Sequence, residues 1–437
     1  MKKNFVFFIS LVIVNFLWAQ QPLTVDQAIA TSLANNYDIL LSRNDSLLAA
    51  LDYSYANYAF YPRLNANAGY NLSNNDSKQV LADGTKRERG GIRSSNLAAS
   101  VNLNWTLFDG LRMFATRKRL GQLVELGGLQ IKNQVITTVA DVMRTYYDLV
   151  RQQQQLRAIE ETMQLSEERL KLAQYKFDIG TGAKPDVLQA QIDLNAQKSA
   201  YLTQQSNILK TKELLNQLLS IPVDTDFNVL DTIPITTSLL LDSIQNGLTG
   251  VNPQLLIIQK NLDIANLSLQ ERRAERLPTV SFNSAYNFTR TDNKSVINPF
   301  QPLFNQNRGL NYGFTATIPI FNGLNTRRLM RAAELDIEYQ QLQYKRSLSQ
   351  ITTSITNAYK DYDLSKRTLI LEEENIKLVR ENLFIARERY RLGITTFLEM
   401  REAQRSLEEA NTRLIQARYN TKIAEIELLR LRGDLVR

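Results

Sequence analysis

The chain has neither cysteine nor histidine. Without cysteine it forms no disulfide, builds no thiolate metal site and offers no sulfur for a lipid anchor. Without histidine it lacks the commonest zinc ligand and the commonest general base near neutral pH. Enzyme chemistry would fall to Asp, Glu, Lys, Ser and Tyr, and no nucleophile–base set of these converges in the sequence. No catalytic residue, cofactor or metal is expected. Proline is scarce, with ten in 437 residues, and none interrupts Gly110 to Gly180.

Long apolar runs are also missing. Met1 to Ala19 reads as a secretory signal: Lys2 and Lys3 form its positive end, and Phe5 to Leu17 its apolar core. That core is too short for a confident spanning helix, and no later segment reaches the ~18 uninterrupted apolar residues such a helix needs. The chain reads as exported yet without a transmembrane helix. Its net charge of +8 comes from 52 basic and 44 acidic residues. The basic residues are dispersed among acids, which suits solvated helix faces and not a nucleic-acid footprint. Gly180-Thr181-Gly182, with Lys184 close by, invites a phosphate-loop reading. It follows a helix, lacks a third glycine and runs into Pro185, so it reads as a turn between helices.

What is present is a strand that becomes a long helix. Leu97, Ala99, Val101, Leu103, Trp105 and Leu107 alternate with Ser100, Asn102, Asn104 and Thr106. The alternation stops at Phe108-Asp109-Gly110. The stretch from there to Gly180 is rich in Leu, Gln, Arg, Glu and Ala, which predicts a helix roughly 100 Å long. Upstream, Thr24 with Gln27 reads as a capping box, Asn35-Asn36 breaks a first helix and Pro62 ends a second. Leu64, Ala66, Ala68, Tyr70 and Leu72 then alternate with Asn65, Asn67, Asn71 and Ser73, and a polar loop is expected from Asn74 to about Ser95.

The plan repeats. Phe321, Tyr359, Gly393 and Ala403-Gln404 each stand 213 positions after Phe108, Tyr146, Gly180 and Ala190-Gln191, which reads as an internal duplication. The expected division is residues 1–19 as signal and 20–220 as the first repeat, with a hairpin over about 63–108, a long helix over 110–180 and a helix over 185–219. A connector follows at 221–238. The second repeat is 239–437, with a hairpin over about 279–321, a long helix over 323–392 and a helix over 395–433.

Four strands with an apolar face carrying aromatics, and an almost uncharged Asn/Ser/Thr face, suit a lipid-facing wall with a wet interior better than a soluble sandwich. Their expected length is about the 9–11 residues a bilayer requires. Four strands do not close a barrel, and open edges are not tolerated in lipid. Closure requires several chains; three copies, giving twelve strands, are the simplest solution, and other multiples remain open. The helices before Pro62 and after Pro185, stacked end to end, nearly match the long one. Each half thus offers two rod-length helical strands, with 3–4 spacing of Val135, Val139, Val142, Tyr146 and Leu149, and of Ile351, Ile355, Tyr359 and Tyr362.

With its duplicated helix–Pro–strand–strand–helix plan, its Phe108-Asp109-Gly110 and Phe321-Asn322-Gly323 junctions and its helix turns at Tyr175 to Gln191 and Tyr390 to Gln404, the chain resembles the TolC-type outer-membrane efflux proteins. The resemblance implies a homotrimer, mainly α with membrane β. A twelve-stranded β-barrel, four strands per protomer, would continue into a twelve-helix periplasmic α-barrel. It implies an exit duct of a tripartite efflux or type I secretion system in the outer membrane, in contact with outer-membrane lipid. The duct would be docked at its tip onto a periplasmic adaptor (membrane fusion protein) and an inner-membrane pump. It also implies an acidic constriction just after the second-repeat glycine, where this sequence holds Glu399 and Glu402. Gly180, Gly393, Tyr390, Arg389 and Thr395 would form the tip turns, their links and the adaptor-docking surface. The two Phe-Asx-Gly motifs would mark where membrane gives way to periplasm. The alternative is a periplasmic coiled-coil adaptor or envelope scaffold, which would not carry two bilayer-height hairpins.

Overall fold

The computed structural model describes residues 22–235 and 239–435; the expected signal at 1–19 lies outside them. The first half holds α1 (Val25–Asn35), α2 (Tyr37–Tyr55), β1 (Arg63–Val80), β2 (Lys86–Phe108), α3 (Arg112–Asp178) and α4 (Lys184–Leu219). The second holds α5 (Leu241–Gln245), α6 (Leu248–Val251), α7 (Pro253–Ala274), β3 (Thr279–Asn293), β4 (Phe304–Thr317), α8 (Asn325–Arg391) and α9 (Phe397–Arg432). Both long helices, α3 and α8, run for 67 residues. The chain divides into two units. One holds the residues up to Leu41 with Lys132–Pro253 and Ser349 onward, and the other holds Ser42–Ile131 and Gln254–Leu348.

The second of these units carries one antiparallel sheet in the order β1-β2-β3-β4. Its register puts Leu64 opposite Leu103, Ala66 opposite Val101 and Tyr70 opposite Leu97. Val101 lies opposite Tyr286 and Trp105 opposite Phe282, and Phe282 lies opposite Phe314. These residues share one face, where the rings of Phe282 and Phe314 are 5.2 Å apart. The other face is an amide ladder. Asn104 Nδ2 donates to Asn283 Oδ1 at 2.6 Å, and Asn283 Nδ2 donates to Thr315 Oγ1 at 3.0 Å. No helix among the described residues is long and apolar enough to cross a membrane.

Two expectations about the strands are corrected. They are 14 to 23 residues long, well beyond bilayer height, and most of the expected loop from Asn74 to Ser95 is paired ladder, Asn74 with Arg93 and Val80 with Lys86. Backbone hydrogen bonds do not require apolar side chains, so a ladder continues where alternation in hydrophobicity stops. Gly90-Gly91 is a bulge within the ladder: Gly91 has φ 67° and donates its N–H to Asp76 Oδ1 at 2.7 Å. The turn itself is at Asp83-Gly84, with Gly84 at φ 81°.

The other unit is helical. Tyr146, Leu149 and Val150 of α3 pack with Leu215 and Leu219 of α4 and Ile426 of α9. Burial of each large apolar side chain contributes about 1.5–3 kcal/mol. The Tyr146 hydroxyl donates to the Leu23 carbonyl at 2.8 Å and accepts from the Leu230 N–H. On α8, Leu369, Ile376 and Leu383 recur every seven residues. They pack on Ala403, Leu407, Ala410, Leu414 and Ala417 of α9, whose alternating steps of four and three make the heptad seam of a coiled coil. The Thr24–Gln27 capping box is present in both directions.

The duplication extends to individual hydrogen bonds. Asn36 follows α1 and donates through Nδ2 to Leu218 O at 2.9 Å; Asn252 follows α6 and donates to Leu431 O at 2.7 Å. Both asparagines are buried. Each gives its helix entry a fixed partner at the end of α4 or α9.

The helix-turn tip and the strand–helix junctions

The two tip turns have the same construction. After α3, Gly180 adopts φ 78°, and after α8, Gly393 adopts φ 77°. Gly180 N–H donates to Phe177 O and Thr181 N–H to Lys176 O; Gly393 N–H donates to Tyr390 O and Ile394 N–H to Arg389 O. This is the Schellman closure, which satisfies the last carbonyls of a helix and requires a residue that tolerates the left-handed region.

The structure brings the two turns together through a residue that sequence reasoning missed. Lys176 extends its ammonium to 3.9 Å from the ring centroid of Tyr390 and donates to Tyr390 O at 2.6 Å. Tyr390 is buried, and burial, followed by the negative charge of Asp186, pushes its phenol up. Thr396 caps α9 by accepting from Glu399 N–H at 3.3 Å, and Thr395 Oγ1 donates to the Glu399 carboxylate. Glu399 is thus tied into its own helix start. Glu402 and Arg389 are exposed.

A second missed cluster lies along the same helices. Asp193 of α4 accepts from Arg169 of α3 at 2.6 Å and from Arg401 of α9 at 3.0 Å. The Arg169 side chain is almost fully buried, and its guanidinium stands 5.3 Å from the Phe397 ring. Nothing local marks such a triad, because its members come from three helices. One signal was legible: Gln404 of the second Ala-Gln pair is buried and donates to Ser166 Oγ at 2.9 Å.

The strand–helix junctions also repeat. Gly110 and Leu111 have φ 73° and 70°, and Gly323 and Leu324 have φ 65° and 61°. Two successive left-handed residues turn the strand end into the helix start. Asp109 is buried and its carboxylate accepts Met113 N–H at 3.1 Å, satisfying an orphan donor of α3. Asn322 donates through Nδ2 to Thr326 Oγ1 at 2.6 Å.

The junctions differ in what covers them. A Cβ on Gly110 would lie 2.4 Å from Ala274 O and 2.8 Å from Leu277 Cβ, at the end of α7; a Cβ on Gly323 would meet nothing within 4 Å. Phe108 is partly covered, whereas Phe321 is 79% exposed. The expected strand end near 321 is corrected accordingly. β2 keeps its partner β3 as far as Phe108, but β4 stops at Thr317, because β3 ends opposite it at Thr279 and nothing among the described residues pairs its other edge.

A sequence model of the outer membrane efflux protein family matches residues 28–220 and 248–434, one stretch in each half. The chain belongs to the outer membrane efflux protein family. Members it is similar to include the outer membrane protein TolC of Vibrio cholerae, 20% identical over 384 residues that cover 86% of this chain and 83% of that protein. The cation efflux system protein CusC of Escherichia coli is 22% identical, covering 92% and 85%. The alkaline protease secretion protein AprF of Pseudomonas aeruginosa is 20% identical, covering 90% and 83%. Among solved structures, the outer-membrane channel OprN superposes with a TM-score of 0.79 at 19% identity, covering 94% of this chain and 90% of that one. The Campylobacter jejuni CmeC outer membrane channel gives 0.77 at 16%, covering 94% and 85%. This efflux-family chain therefore has the channel fold with duplicated halves, and it is an outer-membrane exit duct with a periplasmic helical extension.

Proposed function

We propose that the duct is a homotrimer that closes a twelve-stranded barrel and a twelve-helix tunnel. It receives cargo from a periplasmic adaptor and an inner-membrane pump in a tripartite efflux or type I secretion system. The observation that carries this reading is the inequality of the two junctions. The first is covered by the end of α7 of its own chain, while the second, with the same pair of left-handed residues, is bare. Pro278 after α7 corresponds to Pro62 after α2, so the end of α2 from a second copy is the matching cover for Gly323. The same step sets β4 of one protomer beside β1 of the next and removes both open edges.

The tip assignments follow the same reading. Glu399 and Glu402, one helical turn apart, would stack as two carboxylate rings about a threefold axis and favour cations. The turns at Gly180 and Gly393, with Tyr390, Arg389 and Thr395, would meet the adaptor. Both Phe-Asx-Gly motifs would sit where lipid ends. The names of relatives span cation efflux, toluene efflux and protease secretion, so cargo is assigned here to the pump. Energy comes from the pump, and the duct catalyses nothing.

Since the chain has no cysteine, the assembly can be tested with one introduced pair. Leu277 Cβ stands beside Gly110, so Tyr61 is the corresponding residue of the neighbour, and the pair is Tyr61→Cys with Asn322→Cys, which leaves Gly323 without a Cβ. Oxidation is expected to yield a covalent trimer on denaturing gels. A product that remains monomeric would overturn the reading.

A further inference from the structure

The apolar face of the sheet has unlike ends. Toward the helices it ends in Leu107, Val280, Phe282, Phe314 and Ala316, none of them charged. Toward the hairpin turns the same face carries Arg93, Arg290 and Arg308. The register fixes their side: Arg290 lies opposite Leu97, Arg308 opposite Phe288, and Arg93 four residues along β2 from Leu97. Lys294 adjoins them, donating its N–H to Arg93 O at 2.9 Å.

Arg290 and Arg308 are diagonal neighbours on adjacent strands, close enough for both guanidinium groups to reach one anion. Both are exposed. Arg290 is held in place: it pairs with Asp292 at 2.9 Å and stands 5.3 Å from the Phe304 ring. Asp292 offsets one of the four cations. Farther out, Lys78 is paired with Glu88 at 2.8 Å, and Asp76 is engaged by the Gly91 N–H.

The depth is informative. From the Val280–Ala316 pair to the Phe288–Arg308 pair is eight residues. At ~3.4 Å per residue and a tilt of ~40°, that is roughly 20 Å along the membrane normal, close to the ~25 Å apolar band of such barrels. Side chains that face lipid at mid-height meet headgroups at this level. Solubility alone would place charge at both ends of the face. Here cations gather only at the end remote from the helices, which is the outer leaflet.

We propose that Arg290 and Arg308, flanked by Arg93 and Lys294, form a binding site for the phosphate groups of phosphorylated lipid in the outer leaflet. Planar guanidinium forks suit phosphate oxygens, and Leu310 and Tyr312, exposed on β4, offer the acyl chains an apolar wall. The site rests on the reading of this face as the lipid face.

The test is retention of lipid through reconstitution. Full-length protein is placed in phosphatidylcholine nanodiscs doped with bis-phosphorylated lipid A or with its dephosphorylated form, and retained lipid is counted by native mass spectrometry. The wild type is expected to retain the phosphorylated form about tenfold better, as two exposed ion pairs together imply. Arg290→Gln with Arg308→Gln is expected to lose that preference while keeping its conductance in phosphatidylcholine. Arg93→Gln with Lys294→Gln should lose part of it. Equal retention of the two lipids by the wild type would overturn the site, and so would displacement of lipid A by inorganic phosphate alone, which would mark a free-anion site. Failure to enter phosphatidylcholine discs at all would overturn the lipid-face reading itself.

Discussion

The ammonium of Lys176 caps the ring of Tyr390 at 3.9 Å and donates to that residue's own carbonyl at 2.6 Å. One side chain from the end of α3 thus holds the end of α8 by two contacts. The carbonyl belongs to the last turn of α8, where the helix dipole favours a cation. Replacing Lys176 with Met should remove about 1–3 kcal/mol of attraction between the turns. The expected result is more frequent or larger openings in planar bilayers, with helix content unchanged by circular dichroism. Unchanged conductance would show that the contact does not hold the tip.

Glu399 and Glu402 should separate in their effects. Glu399 serves the start of α9 as well as any acidic ring, through Thr396 and Thr395. Glu402→Gln is expected to lower cation selectivity in reversal-potential measurements without changing Tm. Glu399→Gln should lower selectivity and also weaken the start of α9 by about 0.3–1 kcal/mol, through loss of the negative charge at the helix N-terminus that Thr395 bonds. If the double substitution leaves selectivity intact, the acidic-ring assignment is wrong.

Ser220 and Gly433 occupy corresponding helix ends, and Ser220 holds φ 52° without being glycine. Ser220→Gly should stabilise the helical unit by about 0.5–1 kcal/mol, seen as a higher midpoint in denaturant. The reverse change, Gly433→Ser, should cost more, because a Cβ there would lie 3.0 Å from Pro253 Cδ at φ 91°.

Gly110 and Gly323 give a paired test of assembly. Gly110→Ala places a methyl against Ala274 O and should destabilise the folded chain by about 2–5 kcal/mol. Gly323→Ala meets nothing among the described residues and adds only the local strain of a side chain at φ 65°. It should leave helix content near normal while reducing the yield of trimer on native gels.

Burial pushes the Tyr147 phenol up to about 12. A group whose pKa is raised by folding contributes stability that is present below its unfolded value, near 10, and is lost as pH rises through the folded one. Alkaline unfolding is therefore expected to steepen between pH 10 and about 12. Tyr147→Phe should flatten that limb, as followed by circular dichroism across the range.

Much of the fold was legible because it is periodic. The strand alternation through Trp105, the proline-free run to Gly180 and the offset of 213 between copies describe backbone behaviour that local sequence controls. Strand length was not legible. Asn74 to Val80 pairs through its backbone, and its side chains carry no apolar signal. The tip glycines could be read from position, but Lys176 and the Arg169–Asp193–Arg401 cluster could not. These contacts join different helices, two of them more than 200 residues apart, and a charged residue on a helix face looks the same whether it meets water or a neighbour.

The amide ladder on the polar face of the sheet bears on traffic. Between Arg63 at one end and Arg89 at the other, that face carries Asn, Ser, Thr, small residues and Ile92, and no charge. A cargo of either sign would move along it over a nearly flat electrostatic potential, exchanging one hydrogen-bonding partner for the next. Such a surface neither selects nor retains. A lineage adopting a new pump could then leave its strands alone and revise only the few positions at the far end of the helices.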